Sequence, residues 1–421
     1  MKILWIVNSP LGPLGERLYG KRNNGVWMDA LMASFTEHNE HQLVVVTTAA
    51  VSEPIREEEI GITFYALPEQ LPINFNENKT SNIQAWQKIL AEEQPNLIQV
   101  WGTEFTHGLC ALRLAKSIPS VIYMQGYLGS IARHYLAGMT HDELKKSVTF
   151  RDVIKRDSIV QQQKKYCAST AKEKEMIELS GNVICENDWC ENSIRVIVPN
   201  VDIYRCPLSI NQIFTHYSWD INKADPHTII CNASGYPLKG LHMLLRAIAL
   251  LKKKYPDVKL RVPGAKVTSD GSIQWLLRKR GYTKYIEQLL KEIDIDDNIE
   301  WLGALPQDKL AEQYTKARVF VMCSAIENHS SSLKEAMIVG TPSVASSVGG
   351  VPEYVTHGEN AFLYRFEEYD IMATYIEKLF EDDALAEKIS TNAKNSCTVL
   401  HSENDIYHTV NDIYNKVLNQ K

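Results

Sequence analysis

VFVMCSAIENHSSSLKEAMIVGTPSVAS, residues 319–346, sets the architecture. Val319–Cys323 is a short, continuous apolar run, the pattern of a strand covered on both faces. Polar residues with helix N-cap preference follow it, and Ser331–Val339 then has a helical pattern. Ser343–Ser346 reads as the next strand. Strand, helix and strand in this order make a parallel α/β unit.

The alternation extends both ways from there. Upstream run the strand His227–Asn232, the helix Gly240–Lys253, the strand Val258–Val262, helical patterns at Ile273–Gly281 and Tyr285–Ile293, the strand Ile299–Leu302 and the helix Gln307–Lys316. Downstream, Ala361–Tyr364 and helical patterns over 368–380, 383–393 and 403–418 close the chain. An aromatic, turn-rich segment from Tyr204 to Pro226 precedes this series. Before it lies a second one, with strands at Ile3–Val7, Gln42–Thr47, Ile62–Ala66, Leu97–Trp101, Ser120–Met124 and Ile194–Val198. Helical patterns fall between them at Val26–Phe35, Ile83–Glu93, Leu109–Lys116 and a long charged stretch, Asp142–Leu179. The fold class is α/β, with two Rossmann-like, doubly wound parallel-sheet domains over 1–205 and 206–400. The periodic apolar residues of 401–421 (Ile406, Tyr407, Val410, Ile413, Tyr414, Val417) predict a last helix packed on the first domain. Two such domains facing each other put the carboxyl ends of both sheets on one cleft, where α/β sheets bind ligands.

Length and composition agree. A chain of 421 residues fits two or three domains on a scale of about 100–200 residues each. Apolar residues at 44% and charged residues at 23% give a soluble globular balance and exclude disorder and coiled coil. A net charge of -6 argues against bulk nucleic-acid binding. No run reaches the roughly 18–20 apolar residues that cross a bilayer, and Lys2–Val7 is too short for a signal peptide. The eight cysteines are scattered and read as reduced thiols, with no metal set among them. A cytoplasmic location follows. Basic residues between Arg133 and Lys174, among them Lys145, Lys146, Arg151, Lys155, Arg156, Lys164 and Lys165, form either a solvated helical face or a peripheral contact with anionic lipid at the inner face of the cell membrane.

Three loops carry candidate chemistry. The helix start after Cys323 offers free N–H groups and a positive dipole end to an anion or a hydroxyl-rich ligand. Glu327 and Glu335 flank it, either to grip ligand hydroxyls or as a solvated pair beside a serine N-cap. In Asn232–Leu241, Gly235 and Gly240 permit close backbone approach and Lys239 places an ammonium for a phosphate, although this is no Walker pattern. The loop Pro10–Gly15, continuing to Asn23-Asn24-Gly25, is long for its position after a first strand.

Taken together, these motifs resemble glycosyltransferase family 4, the retaining transferases of GT-B fold. In order they are Pro199-Asn200-Val201-Asp202, Lys239-Gly240-Leu241, Leu302-Gly303, Glu327 with Glu335 at E-x7-E spacing, Glu335-Ala336-Met337, Gly340-Thr341-Pro342 and Gly349-Gly350-Val351-Pro352-Glu353. The resemblance implies that Glu335 holds the nucleotide ribose, that Glu327 contacts the donor sugar, and that Lys239 neutralises the diphosphate. It places main-chain N–H groups from His329 through Ser330, Ser331 and Ser332 on the donor, with Ser234 and Gly235 beside it. The base falls near Leu302–Leu305, with Leu305 as a contact, and Gly12, Gly15 and Gly25 lie in the family's glycine-rich loop. Three departures stand out. Ser234 occupies the place of a usual arginine, for which Lys266 or Arg261 would substitute. Gln125-Gly126 replaces His-Gly, and Gln99-Val100-Trp101-Gly102 replaces His-x-His-Gly. His107 either enters the cleft or is an ordinary residue at a helix start.

The expected function is metal-independent, retaining transfer of a sugar from a nucleoside-diphosphate donor to a glycan or lipid-linked glycan, in capsule or other surface-polysaccharide assembly. Glu327, Lys239, His107 and Gln125 are the expected catalytic set, with no metal ligand and no cofactor. The alternatives are a sugar-nucleotide epimerase on the same fold and a catalytically silent sugar-nucleotide-binding subunit.

Overall fold

The structure is a computed structural model that describes residues 1–20, 26–68, 75–207, 210–233, 235–268, 275, 278–397 and 403–420. Two compact units emerge: unit 1 from Met1–Leu128, Ala168–Asn211 and His401–Lys421, and unit 2 from Gly129–Cys167 and Gln212–Leu400.

Unit 1 is built on an eight-stranded sheet of β1 (Lys2–Ile6), β2 (Gln42–Ala49), β3 (Ile55–Glu59), β4 (Ile62–Pro68), β5 (Leu97–Trp101), β6 (Ser120–Tyr123), β7 (Asn182–Cys185) and β8 (Asp202–Arg205). Their spatial order is β3-β4-β2-β1-β5-β6-β7-β8. All neighbours are parallel except β3, an acidic edge strand antiparallel to β4. Its Glu57, Glu58 and Glu59 discourage further pairing at that edge. Residues of β1 alternate between the two faces because successive side chains on a strand point opposite ways. Ile3 and Trp5 join a core with Phe35, Trp101 and Tyr407, whereas Leu4 and Ile6 join one with Trp86, Leu109 and Met176. The helix Glu403–Leu418 completes the first core by burying Ile406, Tyr407, Val410, Ile413, Tyr414 and Val417. Trp5 Nε1 donates to Tyr414 Oη at 2.9 Å.

The strand expected at Ile194–Val198 is instead the end of the helix Asp188–Ile197. Asn187 caps that helix by accepting from the Cys190 N–H, and Cys190 and Ile194 bury one face of it. The strands on either side are β7 and β8, both too short to stand out as apolar runs.

Unit 2 carries β9 (Asp225–Ile230), β10 (Lys259–Pro263), β11 (Ile299–Gly303), β12 (Ala317–Met322), β13 (Ser343–Ser346) and β14 (Phe362–Tyr364). All are parallel, in the order β11-β10-β9-β12-β13-β14. This is the doubly wound order, and the chain reverses direction across the sheet between β9 and β12, where such folds bind ligands.

The expected boundary at residue 205 put 129–167 in the first domain, but this segment packs in unit 2. The long charged stretch Asp142–Leu179, expected to be helical, consists of three helices, His141–Ser147, Phe150–Lys155 and Ile159–Ser180. Reciprocal capping boxes, Thr140 with Glu143 and Thr149 with Asp152, start the first two helices. Glu143 then accepts from Arg246 at 2.6 Å and Tyr285 at 2.8 Å, and Thr149 donates to the Lys279 carbonyl at 3.1 Å. Those long-range bonds to the 241–293 region hold the segment there. All eight cysteines are free thiols. No helix among the described residues is long and apolar enough to cross a membrane.

Candidate active site

The loops that follow β9 and β12 meet at the reversal point of the second sheet. After β9 the chain makes a tight turn, Pro237–Lys239, into the helix Leu241–Leu251. Gly240 links the two at a φ of 66°, and a Cβ there would overlap the Cys323 carbonyl at the end of β12. Only glycine allows this approach. The Ala325 N–H donates to the Leu238 carbonyl at 2.7 Å, which ties the two loops together.

This contact sets Lys239 against Glu327. The ammonium donates to Glu327 Oε1 at 2.5 Å, and Ser324 Oγ donates to the same oxygen at 2.6 Å. Burial pulls the Lys239 pKa down, but the Glu327 carboxylate more than offsets it and holds the group above its ordinary value. The cation and the first carboxylate, expected to serve different parts of a ligand, are therefore partners here. Behind Glu327 lies the Gly349-Gly350 turn. The Gly350 N–H donates to the Glu327 carbonyl at 3.3 Å, and at Gly349, with a φ of 54°, a Cβ would occupy the position of that carbonyl. The glycine pair thus supports the main chain of Glu327.

The helix Ser331–Val339 starts at Ser330, whose Oγ accepts from the Leu333 N–H. Its first-turn N–H groups, from Ser331 and Ser332, lie where an anion is favoured. Ser330 Oγ lies 3.3 Å from Ser332 Oγ. His329 stacks on Tyr354, with ring centroids 4.9 Å apart, and burial pushes its pKa down to about 3, helped by Lys334. Its imidazole is therefore neutral. Glu335 accepts from Tyr314 Oη at 3.1 Å, and that hydroxyl accepts from Asn232 Nδ2 at 2.7 Å. Burial raises the Glu335 pKa to about 7, against the lowering effect of the tyrosine bond. Asn232 and Lys239 share one loop, so this relay joins both glutamates to the segment after β9.

The other expected donor contacts are more dispersed. Gly235 is exposed in the β9 loop and Leu305 is half-buried after β11. Ser234 and Gly25 lie outside the described residues. Of the two substitutes for the missing arginine, Arg261 is committed on its strand to Asp225 at 2.8 Å and Glu300 at 2.9 Å. Lys266 is exposed in the loop after β10. Among the described residues, no group of three or more His, Cys, Asp and Glu side chains is placed to hold a metal ion.

In unit 1 the reversal point lies between β1 and β5. Gly12 and Gly15 fall in the helix Gly12–Tyr19, with Gly12 against the Phe64 ring, so this part of the expected glycine loop is helical. His107 is buried at the start of the helix His107–Leu114, where Nε2 donates to the Val7 carbonyl at 3.0 Å. Burial depresses its pKa to about 4. That placement matches the ordinary helix-start alternative. Gln125 is half-buried after β6. Beside it stands a carboxyl the sequence reading passed over. Glu104 accepts from Asn8 Nδ2 at 3.3 Å and from the Gly126 main chain, and burial raises its pKa to about 7 despite these bonds. The signal for it was a glutamate directly after a strand end, Trp101-Gly102-Thr103-Glu104.

Residues 214–396 match the family model for glycosyl transferases group 1. Residues 214–396 form a group 1 glycosyl transferase domain. The D-inositol 3-phosphate glycosyltransferase of Corynebacterium urealyticum is 32% identical to the chain over 146 residues, 35% of this chain and 33% of that protein. The chain thus aligns with only about a third of this curated relative. Among solved structures, a sucrose-phosphate synthase from Thermosynechococcus elongatus superposes with a TM-score of 0.73 at 16% identity, covering 100% of both chains. Anabaena HepE, solved in complex with UDP and glucose, superposes at 0.67 with 16% identity over 99% of each chain. The fold is that of the GT-B glycosyltransferases. Lys239, Glu327 and Glu335 all lie within the group 1 domain.

Proposed function

We propose that the protein transfers a sugar from a nucleoside-diphosphate donor to a hydroxyl of a glycan or lipid-linked glycan, with retention at the anomeric carbon and without a metal. The observation that carries this reading is the arrangement at the sheet reversal of the group 1 domain. There a half-buried lysine–glutamate pair and a second, relay-held glutamate flank a helix N-terminus.

Each part has a task in the reaction. When the bond from the anomeric carbon to the leaving phosphate breaks, the diphosphate gains negative charge. The first-turn N–H groups of the helix Ser331–Val339 stabilise that charge without reorganising, and Lys239 adds its ammonium by leaving Glu327. As Lys239 turns to the phosphate, Glu327 is freed to accept from donor-sugar hydroxyls. Glu335, as carboxylate, accepts from both ribose hydroxyls. The acceptor hydroxyl attacks the face the phosphate leaves, and its proton passes to the departing phosphate oxygen. Assembly of a surface polysaccharide, in the cytoplasm, is the setting we assign to this chemistry.

The test incubates purified protein with a panel of nucleoside-diphosphate sugars, with and without oligosaccharide acceptors, and follows all species by mass spectrometry. We expect free nucleoside diphosphate and an acceptor heavier by one sugar. Epimerised donor formed without acceptor, or donor binding with no turnover across the panel, would replace the transferase reading.

A further inference from the structure

The short helix Phe150–Lys155 presents an apolar face to solvent. Phe150 is 76% exposed, and Val153 and Ile154 are each 65% exposed. At spacings i, i+3 and i+4 they share one side of the helix. Large apolar side chains exposed together, unlike single ones such as Val196, mark a surface that meets something.

The helix is held firmly in that pose. Asp152 is fully buried and closes the capping box with Thr149, whose hydroxyl donates to the Lys279 carbonyl. The Lys284 ammonium donates to the Val148 carbonyl at 2.8 Å, so the turn before the helix is pinned as well. The apolar face is therefore a fixed feature of unit 2.

Its surroundings are positive. Lys145 and Lys146 precede the helix, Lys155 and Arg156 end it, and Arg278 and Arg280 flank Lys279; all six are exposed. The nearby acids are largely engaged elsewhere. Among the described residues, Asp157 pairs with Arg151 and Lys165, Asp152 pairs with Arg151, and Glu143 pairs with Arg246, leaving Asp142 as the exposed exception. Three apolar side chains cover far less than the roughly 800 Å² that each partner of a stable protein complex buries. A small apolar wedge ringed by cations instead suits the boundary between head groups and acyl chains of an anionic bilayer.

We infer that the helix Phe150–Lys155 docks the protein on anionic membrane, with Phe150, Val153 and Ile154 entering the bilayer boundary and the flanking Lys and Arg side chains holding lipid phosphates. This goes beyond the proposed transfer reaction and stands whether or not the acceptor carries a lipid.

The test is co-sedimentation of the full chain with vesicles of phosphatidylcholine alone or mixed equally with phosphatidylglycerol. The protein should pellet with the mixed vesicles and stay in solution with phosphatidylcholine. The combined Phe150→Ser, Val153→Ser and Ile154→Ser variant should lose at least tenfold in bound fraction while keeping its melting temperature. Lys155→Glu with Arg156→Glu should lose a similar amount. Should the triple variant fail to fold, Phe150→Trp gives a gain of signal. It should add a blue-shifted emission with the mixed vesicles that brominated acyl chains quench. Failure of the unaltered protein to pellet, full binding by the triple variant, or an added emission in Phe150→Trp that brominated chains leave unquenched would overturn the inference. So would concentration-dependent dimerisation that the triple variant abolishes without any vesicle binding, which would assign the face to a second copy. None of these readouts involves sugar transfer, so this inference and the proposed function fail separately.

Discussion

Replacing Glu327 by glutamine should tighten binding of the product nucleoside diphosphate while crippling transfer. In the free protein Lys239 is held by Glu327 at 2.5 Å, so a diphosphate must draw the ammonium away from a carboxylate. The bare attraction at that distance is about 7 kcal/mol at an effective dielectric near 20. After desolvation, a hydrogen bond to a charged group keeps a net worth of about 1.5–3 kcal/mol. A phosphate that shares Lys239 forfeits about half of that, so the glutamine variant should regain about 0.8–1.5 kcal/mol, roughly four- to twelvefold in affinity. Glutamine still accepts from Ser324, which keeps the loop in place. Transfer should fall by about 10²–10³, the range typical for loss of one electrostatic group in an active site. Lys239→Ala has the opposite signature, with weaker diphosphate binding and slower transfer. Calorimetric titration with the nucleoside diphosphate and initial rates with the matching donor give both quantities. Unchanged or weaker diphosphate binding by Glu327→Gln, or transfer within threefold of the unaltered protein, would refute the competition between phosphate and carboxylate.

Three further outcomes follow from the same geometry. Glu335 titrates near pH 7 in the folded chain against an ordinary 4.5, so its stabilising contribution is full below about pH 4.5 and lost as pH rises through 7. Glu335→Gln should therefore gain up to about 3 kcal/mol over the parent between pH 5 and 8, read by thermal melts, and should lose the parent's increase in nucleotide affinity across pH 7. Gly349→Ala should abolish transfer and lower the melting temperature, because its Cβ would meet the Glu327 carbonyl; a variant with parental activity would show that the turn can relax. Transfer should survive EDTA; full loss restored by magnesium or manganese would overturn the lysine-and-dipole account.

How much was legible in the sequence depended on the range of the forces involved. Ser331–Val339 and Gln307–Lys316 were bounded correctly because a polar start and an apolar period are local signals. Ile194–Val198 misled because β-branched residues at a helix end imitate a strand, while the Asn187 cap was the quieter and decisive cue. The E-x7-E pair and the Gly349-Gly350 turn were visible as motifs. Their connections, Lys239 to Glu327 and Asn232 through Tyr314 to Glu335, join residues far apart in the chain and appear only when β9 and β12 lie side by side. The assignment of 129–167 to the second unit was hidden for the same reason. Its capping boxes are local, whereas the bonds to Arg246, Tyr285 and Lys279 are not.

The bond from Trp5 to Tyr414 spans 409 residues and has a consequence for biogenesis. Synthesis is vectorial, so the first sheet emerges from the ribosome long before the helix that covers Trp5, Phe35 and Trp101. Unit 2 contains no residue beyond Leu400 and is free to condense earlier, whereas unit 1 must wait with one apolar face bare. Closing so long a loop is also slow, because its entropy is lost before any contact rewards it. The nascent protein thus carries an exposed apolar face until its last helix is made. A circular permutant that places Glu403–Leu418 ahead of Met1 should refold faster and aggregate less than the parent.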